Sequence, residues 1–417
     1  MTSEGGAHTS EESGAHPSAE GGAHTSAGGA HDGAVLLTGT TGFVGMELLA
    51  RYLARGEQDI VTLVRADSDE GARQRIDTVL CNLFGDGGPA QYGGRVQAVA
   101  SELTAPGLGL GPERQRELAE RVTTIVHSAA SVAFDLPLKE SRAINLDGTR
   151  RMLEFADLAR AASGGLHRYG HVSTAYVAGT HEGPFSERDL DVGQQFRNSY
   201  EQSKFETEQL VRAQPGLPFT ILRPSIVVGD RQTGWTATFN VLYWPLRAFA
   251  RGLFTAVPAN PVAPLDVVSI DFVADAIHEL CVGDGGVGET YHLTAGADAT
   301  TVGELAVLAS RYFDRPVPNA LSGADFAAFE RGTSNAQRAA LQGGRPYFSY
   351  FSVQTVFDDA ATRARLSPAG ITVSPLTDYL DRLLDFATRS RWGKQPIGRA
   401  EADGQAKARA RAEALAA

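Results

Sequence analysis

The sequence predicts an α/β protein whose parallel β-sheet is covered by helices on both faces. From residue 33 onwards, short apolar segments with strand character alternate with helical patterns, and strands separated by helices form parallel sheets. The 417 residues are 42% hydrophobic, which is enough to bury a large core in one domain or two closely packed ones. A glycine-rich turn after the first strand adds a third indication of this fold class.

The predicted elements follow one another regularly up to about residue 228 and more loosely afterwards. The strand segments are 34–38, 60–64, 96–100, 124–127, 169–173, 219–222 and, later, 290–293. The predicted helices are one that begins after the glycine turn and those at 68–83, 113–121, 143–162, 199–213 and 270–281. Residues 302–395 are expected to be mostly helical.

Gly39, Gly42 and Gly45 follow a G-x-x-G-x-x-G spacing between the first strand and its helix. Such a turn lets the backbone approach a pyrophosphate, and the helix N-terminus offers free N–H groups and a positive dipole end. An ordinary strand–helix turn can have the same glycines, so the motif alone does not decide between the two interpretations.

Tyr200 and Lys204 are four residues apart on a predicted helix and therefore share one face. A neighbouring ammonium is expected to lower the tyrosine pKa from its usual value near 10 towards the working range of an acid catalyst. A surface pair would have the same spacing. Ser173-Thr174, at the end of the fifth predicted strand, favours the catalytic interpretation because such strand ends face the ligand crevice.

In order and spacing, these motifs resemble an extended short-chain dehydrogenase/reductase over residues 33–295. The resemblance implies a Rossmann-type, doubly wound parallel sheet with a smaller, mostly helical C-terminal substrate-binding domain. It implies a catalytic triad of Thr174, Tyr200 and Lys204, with Asn145 holding a helix distortion and a water of a proton relay. The cofactor-binding residues that it implies are Gly39, Thr41, Gly42, Phe43, Val44, Gly45, Ser128, Ala129, Ala130, Tyr200, Lys204, Pro224 and Ser225.

Arg65 stands just after the second strand, where an NAD-preferring site usually has an acidic residue. A guanidinium offers charged, forked donors that suit a 2′-phosphate, so we expect NADP(H) as the cofactor, with Arg75 as a second contact. Arg73 and Arg75 could also be ordinary solvated helix charges.

Narrower stretches resemble the thioester-reductase and fatty acyl-CoA reductase branch, a male-sterility-type NAD-binding group. They are Val64-Arg65-Ala66, Ala72-Arg73-Gln74-Arg75, residues 103–110 and His127–Phe134. This implies NADPH-dependent reduction of an acyl thioester on CoA or a carrier protein to an aldehyde, and by a second hydride to an alcohol. The branch usually has Gly-Asp where Ser101-Glu102 stand here, so adenine contacts through Glu102 and Leu103 are expected to differ in detail. No adenylation or carrier domain is recognisable, so the substrate would come from a separate carrier or CoA.

Three alternatives remain. An NADP-dependent ketone or alcohol dehydrogenase of the hydroxysteroid type needs the same triad. A sugar epimerase or dehydratase is disfavoured by Arg65 and by Ala175-Tyr176 in place of an acidic pair. A dinucleotide-sensing scaffold without activity is disfavoured because Tyr200 and Lys204 are both present.

Composition, the element pattern and the resemblance together divide the chain into four predicted parts. Residues 1–32 are a low-complexity tail expected to be disordered. Residues 33–228, with a return at 266–295, form the NADP-binding domain, residues 229–265 and 296–397 form the substrate-binding region, and 398–417 form a flexible tail. The aromatic-rich stretch 235–254 is expected either to line an apolar pocket or to be plain core.

Charge and cysteine content set further expectations. The formal net charge of −11 argues against a nucleic-acid partner, and no segment has the length of a membrane span. Two cysteines and no secretory signal predict a cytoplasmic protein. His8, His16, His24 and His31 recur in the N-terminal tail, but we predict no metal site. The oligomeric state is not predicted.

Overall fold

A seven-stranded parallel sheet organises the protein in the computed structural model, which describes residues 33–162, 164–239 and 241–416. Its strands are β1 Ala34–Thr38, β2 Ile60–Val64, β3 Val96–Ala100, β4 Val122–His127, β5 Arg168–Val172, β6 Phe219–Pro224 and β7 Thr290–Leu293. They lie in the order β3-β2-β1-β4-β5-β6-β7, and every neighbouring pair is parallel. The strand order reverses between β1 and β4, which opens a crevice at the carboxyl ends of the strands.

Helices connect these strands and build the C-terminal part. They are α1 Phe43–Arg55, α2 Asp69–Phe84, α3 Gly88–Tyr92, α4 Pro112–Arg121, α5 Leu138–Arg142, α6 Gly148–Ala161, α7 Ser199–Arg212, α8 Tyr243–Ala250, α9 Ile270–Val282, α10 Val302–Phe313, α11 Gly323–Arg331, α12 Asn335–Phe348, α13 Ala360–Leu366, α14 Leu380–Arg389 and α15 Arg399–Ala416.

The sheet is buried on both faces because successive side chains of a strand point to opposite sides. Val35 and Leu37 of β1 pack in one apolar cluster with residues of α1, α2 and α9. Leu36 of the same strand packs in a second cluster with residues of α4, α6 and α7. The predicted doubly wound α/β fold is thus confirmed. The bounds 60–64, 96–100 and 290–293 agree residue for residue with the strands observed.

The helix predicted over 143–162 differs from the one observed. It begins earlier, with α5, and passes through a short π-helix over Ala143–Asp147 before α6. Asn145 lies in this π-helix, at the position where the resemblance implied a helix distortion.

The C-terminal part combines α8, α10–α12 and α14 with short strand pairs around an aromatic-rich apolar cluster, whereas Leu366 of α13 packs in the cluster of α1, α2 and α9. Ala256–Pro258 pairs with Asn319–Leu321, and Gly183–Phe185 pairs with Thr355–Phe357. Trp235 does not belong to this cluster. It is only 1% exposed, packs edge-on against Phe43 of α1, and donates its indole N–H to the carbonyl of Ile397.

The C-terminal tail corrects the expectation of a flexible segment over 398–417. Residues Arg399–Ala416 form helix α15, and Ala402 is 1% exposed against the α1/α2 cluster. Arg399 forms an ion pair of 2.9 Å with the buried carboxylate of Glu47 in α1. The segment has no continuous apolar stripe, but a small alanine face and one ion pair suffice to hold its first turns.

Two further expectations concern other regions. The N-terminal tail and its four histidines lie outside the described residues. None of the helices that the structure describes combines the length and the apolar character that crossing a membrane requires.

Candidate active site

The glycine turn between β1 and α1 leaves no room for side chains. Gly39 has a φ of 76°, which L-residues rarely adopt, and a Cβ there would lie 2.9 Å from the backbone nitrogen of Ala129. A Cβ on Gly45 would lie 2.1 Å from the carbonyl oxygen of Gly39, so α1 packs directly on the turn. The Gly42 N–H donates to that same oxygen at 2.8 Å. The three glycines therefore meet the geometric demands of a phosphate-binding turn.

The first turn of α1 has the features of an anion site. Its N-cap is Gly42, no side chain caps it, and no acidic residue stands in its first turn. Thr41, Phe43 and Val44 are partly exposed beside it. The backbone N–H groups at this end of the helix are thus available to phosphate oxygens.

Thr38 joins the glycine turn to the end of β4. Its hydroxyl accepts hydrogen bonds from the backbone N–H groups of Ser128 and Ala129, each at 3.1 Å, and contacts His127 Nδ1 at 2.8 Å. Burial lowers the pKa of His127 to about 3, so the imidazole is neutral. Because the Thr38 oxygen already accepts two bonds, its proton points to Nδ1, and His127 Nε2–H donates to Thr149 Oγ1 at 3.1 Å.

This linkage holds Ser128, Ala129 and the partly exposed Ala130 at the crevice, as expected of a small-residue strand end. Sequence reasoning missed Thr38 and His127. The sequence pattern that could have indicated them is a polar residue at the end of each of two strands. The structure shows that these strands, β1 and β4, are adjacent and parallel and pair Thr38 with His127.

Arg65 and Arg75 come together beside the glycine turn. Arg65 is exposed at the end of β2, and Arg75 reaches back from α2 to hydrogen-bond the Arg65 carbonyl and, at 3.4 Å, Thr41 Oγ1. Arg73 points elsewhere, with hydrogen bonds of 2.9 Å to Asp77 and to the carbonyl of Gly93. Of the two helix arginines, only Arg75 therefore contributes charge to this end of the crevice.

Glu102 and Leu103 lie at the end of β3, on the rim of the same region. Hydrogen bonds from the side chain and backbone of Thr104 lower the pKa of Glu102, and the charge of Arg65 lowers it further. Glu102 is exposed and Leu103 is partly exposed. A carboxylate is thus present near Arg65 even though the usual Gly-Asp pair is replaced.

Thr174 and Tyr200 meet on the other side of the crevice. Thr174 follows β5, is 4% exposed, and donates to the carbonyl of Pro224 at the end of β6 at 3.3 Å. The Tyr200 hydroxyl shares a hydrogen bond with the Thr174 side chain. Ser225 follows Pro224 and is buried, with its backbone N–H bonded to Leu293 of β7.

Lys204 lies one helical turn beyond Tyr200. It is 3% exposed, and its Nζ donates to the carbonyl of Val172 at 2.8 Å. Burial lowers the pKa of Lys204 to about 8, although the Glu208 carboxylate opposes this shift. At neutral pH the side chain is mainly an ammonium.

The expected lowering of the Tyr200 pKa is not observed. Burial instead raises the pKa of Tyr200 to about 12, and its hydrogen bond with Thr174 opposes the rise only in part. The Lys204 ammonium is directed to the Val172 carbonyl on the sheet. In this arrangement the phenol keeps its proton.

Asn145 connects the crevice to the helix that carries Tyr200 and Lys204. It exchanges two hydrogen bonds with the backbone of Ser131, of 2.8 and 3.1 Å, and donates to Ser203 Oγ at 2.9 Å. The Ser203 hydroxyl donates to the carbonyl of Tyr200 at 3.0 Å. Asn145 thereby fixes the position of α7 relative to the segment that follows β4.

Aromatic side chains from distant parts of the sequence surround Tyr200. Phe134 lies 5.7 Å from it between ring centroids, and Tyr350 stacks on Phe134 at 5.4 Å. The Tyr350 hydroxyl donates at 2.7 Å to Glu201, which is fully buried next to Tyr200. Sequence reasoning did not identify Phe134, Glu201 or Tyr350 as site residues, because nothing in their local pattern indicates this long-range contact.

Comparisons with known proteins bear on this site. The NAD-binding family described as male sterility protein matches residues 37–277. A putative fatty acyl-CoA reductase of Drosophila melanogaster is 29% identical over 277 residues, covering 58% of this chain and 50% of that protein. A carboxylic acid reductase of Mycobacterium marinum is 30% identical over 292 residues, covering 62% and 24% respectively. The chain thus spans half or less of the length of these curated relatives.

A solved structure resembles nearly the whole chain. The terminal R domain from the myxalamid PKS-NRPS biosynthetic pathway superposes with a TM-score of 0.75 and 27% identity, covering 87% of this chain and 92% of that one. The residues that the family matches include the glycine turn, Arg65 and the group of Thr174, Tyr200 and Lys204. The match indicates a nicotinamide dinucleotide as the cofactor. The chain therefore belongs to the male sterility NAD-binding family and has the fold of an extended short-chain dehydrogenase/reductase.

Proposed function

We propose that this protein reduces acyl thioesters, bound to CoA or a carrier protein, with NADPH. The observation that carries the proposal is the hydrogen-bonded pair of Thr174 and Tyr200 with Lys204 one turn away, at the same sheet edge as the glycine turn. The reductases among the relatives support the thioester as the substrate class.

The preference for NADPH over NADH is part of the proposal. Arg65 is exposed at the end of β2, and the Arg75 guanidinium binds the Arg65 carbonyl and reaches Thr41 of the glycine turn. A ribose 2′-phosphate carries charge that such groups bind with short, charge-assisted hydrogen bonds. Glu102 lies on the rim, where hydrogen bonds from the side chain and backbone of Thr104 lower its pKa and already hold its carboxylate.

The proposed roles of the side chains follow from their bonding. Bound NADPH supplies the hydride that adds to the acyl carbonyl carbon. As negative charge develops on the carbonyl oxygen, Tyr200 donates its phenol proton. The Thr174 hydroxyl turns from the Pro224 carbonyl and donates its hydrogen bond to the same oxygen. The Lys204 ammonium then stabilises the phenolate. Loss of the thiol from the resulting thiohemiacetal gives the aldehyde.

Asn145, Pro224 and Ser225 also have roles in this proposal. Asn145 holds α7 against the segment after β4, so Tyr200 keeps its distance from Thr174. We assign the nicotinamide side of the crevice to Pro224 and Ser225, because the Pro224 carbonyl is the acceptor of the Thr174 hydroxyl. A relay water bound by Asn145 remains part of the proposal.

Replacing Tyr200 tests this assignment. The Tyr200→Phe variant removes the proton donor and is expected to lower kcat about 10²- to 10⁴-fold while NADPH binding changes little. Tyr92→Phe, on α3 with its ring tilted against Phe84 at 4.3 Å, is the matched control and should keep full activity. The assay follows NADPH oxidation with acyl-CoA, aldehyde and ketone substrates. Full turnover in Tyr200→Phe would contradict the proposed role, and reduction of ketones alone would favour the ketone dehydrogenase.

A further inference from the structure

A row of aromatic rings leads from Tyr200 towards the C-terminal part of the protein. Phe134 lies 5.7 Å from Tyr200 between ring centroids, and Tyr347 lies 5.8 Å from Phe134. Trp244 follows at 6.4 Å from Tyr347, and Phe254 at 6.0 Å from Trp244. We call these four residues beyond Tyr200 the aromatic row.

The row ends at an apolar cavity of about 60 Å³ between α8 and α10. Phe254 is the last member of the row and also lines the cavity. The other residues that line the cavity include Leu246, Phe249, Leu305 and Phe351. Phe351 also follows Tyr350, the residue that stacks on Phe134. The aromatic row therefore connects the cavity with the surroundings of Tyr200, and Phe351 places a second wall of the cavity next in sequence to Tyr350.

The row differs from ordinary aromatic core. Phe134, Tyr347 and Trp244 are each partly exposed, whereas core rings such as Phe155 and Phe185 are nearly inaccessible. Phe134 and Trp244 pack on the C-terminal core, and all three rings keep part of their surface exposed, whereas Phe254, at the end of the row, is buried. Exposed apolar surface of this kind commonly binds ligands.

Trp244 is held in place by a pair of glycines in α12. A Cβ on Gly343 would lie 2.5 Å from the Trp244 ring, and one on Gly344 would lie 2.8 Å from it. The indole thus lies against bare helix backbone. A methyl group at either position would force the ring to move, which makes this contact a sensitive point of the row.

We propose that the aromatic row and its terminal cavity bind the acyl chain of the substrate, and that this chain is apolar. The inference rests on the proposed thioester reduction at Tyr200. A pantetheine arm carries amides and leads to a phosphate, so it needs several polar partners and a cationic one, whereas the row offers only the Tyr347 hydroxyl and the Trp244 indole N–H and no charge. An alkyl or aryl chain needs only apolar surface.

The test is a series of straight-chain acyl thioesters of N-acetylcysteamine, from butanoyl to dodecanoyl, with NADPH and the full chain. The value of kcat/KM is expected to rise about three- to four-fold per added methylene until the cavity is filled. Trp244→Ala should reduce the dodecanoyl-to-butanoyl ratio of kcat/KM about ten-fold or more. Trp392→Ala, which removes another partly buried indole, packed on Phe313, should leave the ratio unchanged.

A second variant guards against loss of folding in Trp244→Ala. Gly343→Ala adds a methyl group against the indole in a helical backbone and should shift the best chain length. Gly404→Ala, where a Cβ meets nothing within 4 Å, is its control. A chain-length profile that stays unchanged in both Trp244→Ala and Gly343→Ala would overturn the inference.

Binding of straight-chain alcohols, measured by calorimetry, separates this inference from the proposed function. Thioester reduction without any dependence on chain length would overturn the inference that the aromatic row binds the acyl chain, and it would leave the proposed function intact. A second outcome is that no thioester is reduced, while alcohol affinity rises with chain length in the wild type and not in Trp244→Ala. This outcome would overturn the proposed function and support the aromatic row as a binding surface for apolar chains. Alcohol affinity that does not depend on chain length would overturn the inference about the aromatic row, whether or not thioesters are reduced.

Discussion

At the scale of single residues, cofactor preference is expected to depend on two arginines. Arg65 was assigned from its place after β2 and Arg75 was named as the second contact, but from sequence Arg73 and Arg75 could both also be ordinary solvated helix charges. Both are on α2, two residues apart, and only the packing of α2 turns Arg75 to the glycine turn and Arg73 to Gly93. Helix periodicity gives spacing, but it does not give the direction in which a long side chain finally extends.

These two arginines make a matched pair for mutation. Arg75→Ala is expected to lower kcat/KM for NADPH about 10- to 100-fold, which corresponds to the loss of a charge-assisted hydrogen bond, and to leave kcat/KM for NADH nearly unchanged. Arg73→Ala should leave the NADPH-to-NADH ratio as it is. The measurement is steady-state kinetics with both cofactors, and an equal loss for NADPH and NADH in Arg75→Ala would contradict the assignment.

Lys204 predicts the pH dependence of the reaction. Burial lowers its pKa to about 8, so the ammonium is present below that pH and is lost above it. The pKa of Tyr200 is about 12, so the phenol remains protonated over the same range. The value of kcat/KM, which reports the free enzyme, should therefore fall about ten-fold per pH unit above about pH 8. A profile that stays level to pH 9.5 would contradict this role.

At the scale of elements, the turn between β1 and α1 was the most predictable feature. Its glycines are required because Gly39 has a positive φ and Gly45 touches the Gly39 carbonyl. The break between α5 and α6 was less predictable, since apolar periodicity continues through a π-helix. Its position depends on Asn145, whose partners Ser131 and Ser203 are distant in sequence.

A substitution in the turn should abolish cofactor binding. Gly45→Ala would place a methyl carbon 2.1 Å from the Gly39 oxygen, so the turn must open and the phosphate site is lost. Gly71→Ala in α2 meets only ordinary contacts, at 3.5 and 3.7 Å, and is the control. Calorimetric titration with NADPH checks both variants. Wild-type affinity in Gly45→Ala would show that the turn does not bind the cofactor.

At the scale of the whole molecule, the sheet could be predicted because each strand is a short apolar run between helical patterns. The packing of α15 could not be predicted from the sequence. Its contacts, such as the ion pair of Arg399 with Glu47 and the burial of Ala402, join residues far apart in the chain and give no local signal. The aromatic surroundings of Tyr200 were also beyond prediction, since Phe134, Tyr347 and Tyr350 meet only in the folded protein.

The contact of α15 predicts a stability effect. Arg399→Ala leaves the Glu47 carboxylate, 2% exposed, with fewer positive partners, and should lower the free energy of unfolding by about 1–3 kcal/mol. Arg409→Ala removes an exposed ion pair of 4.0 Å with Asp385 and should change the free energy of unfolding by less than about 0.5 kcal/mol. Urea denaturation measures both. Equal effects would mean that α15 is not held at Glu47.

The measurement that tests the central claim most directly is the stoichiometry of thiol release. The full chain is incubated with NADPH and a medium-chain acyl thioester, and free thiol, aldehyde, alcohol and oxidised cofactor are quantified together. Thioester reduction predicts one thiol released per NADPH oxidised when the product is the aldehyde, or per two NADPH when it is the alcohol. NADPH oxidation with ketones or aldehydes, without thiol release from any thioester, would contradict the account.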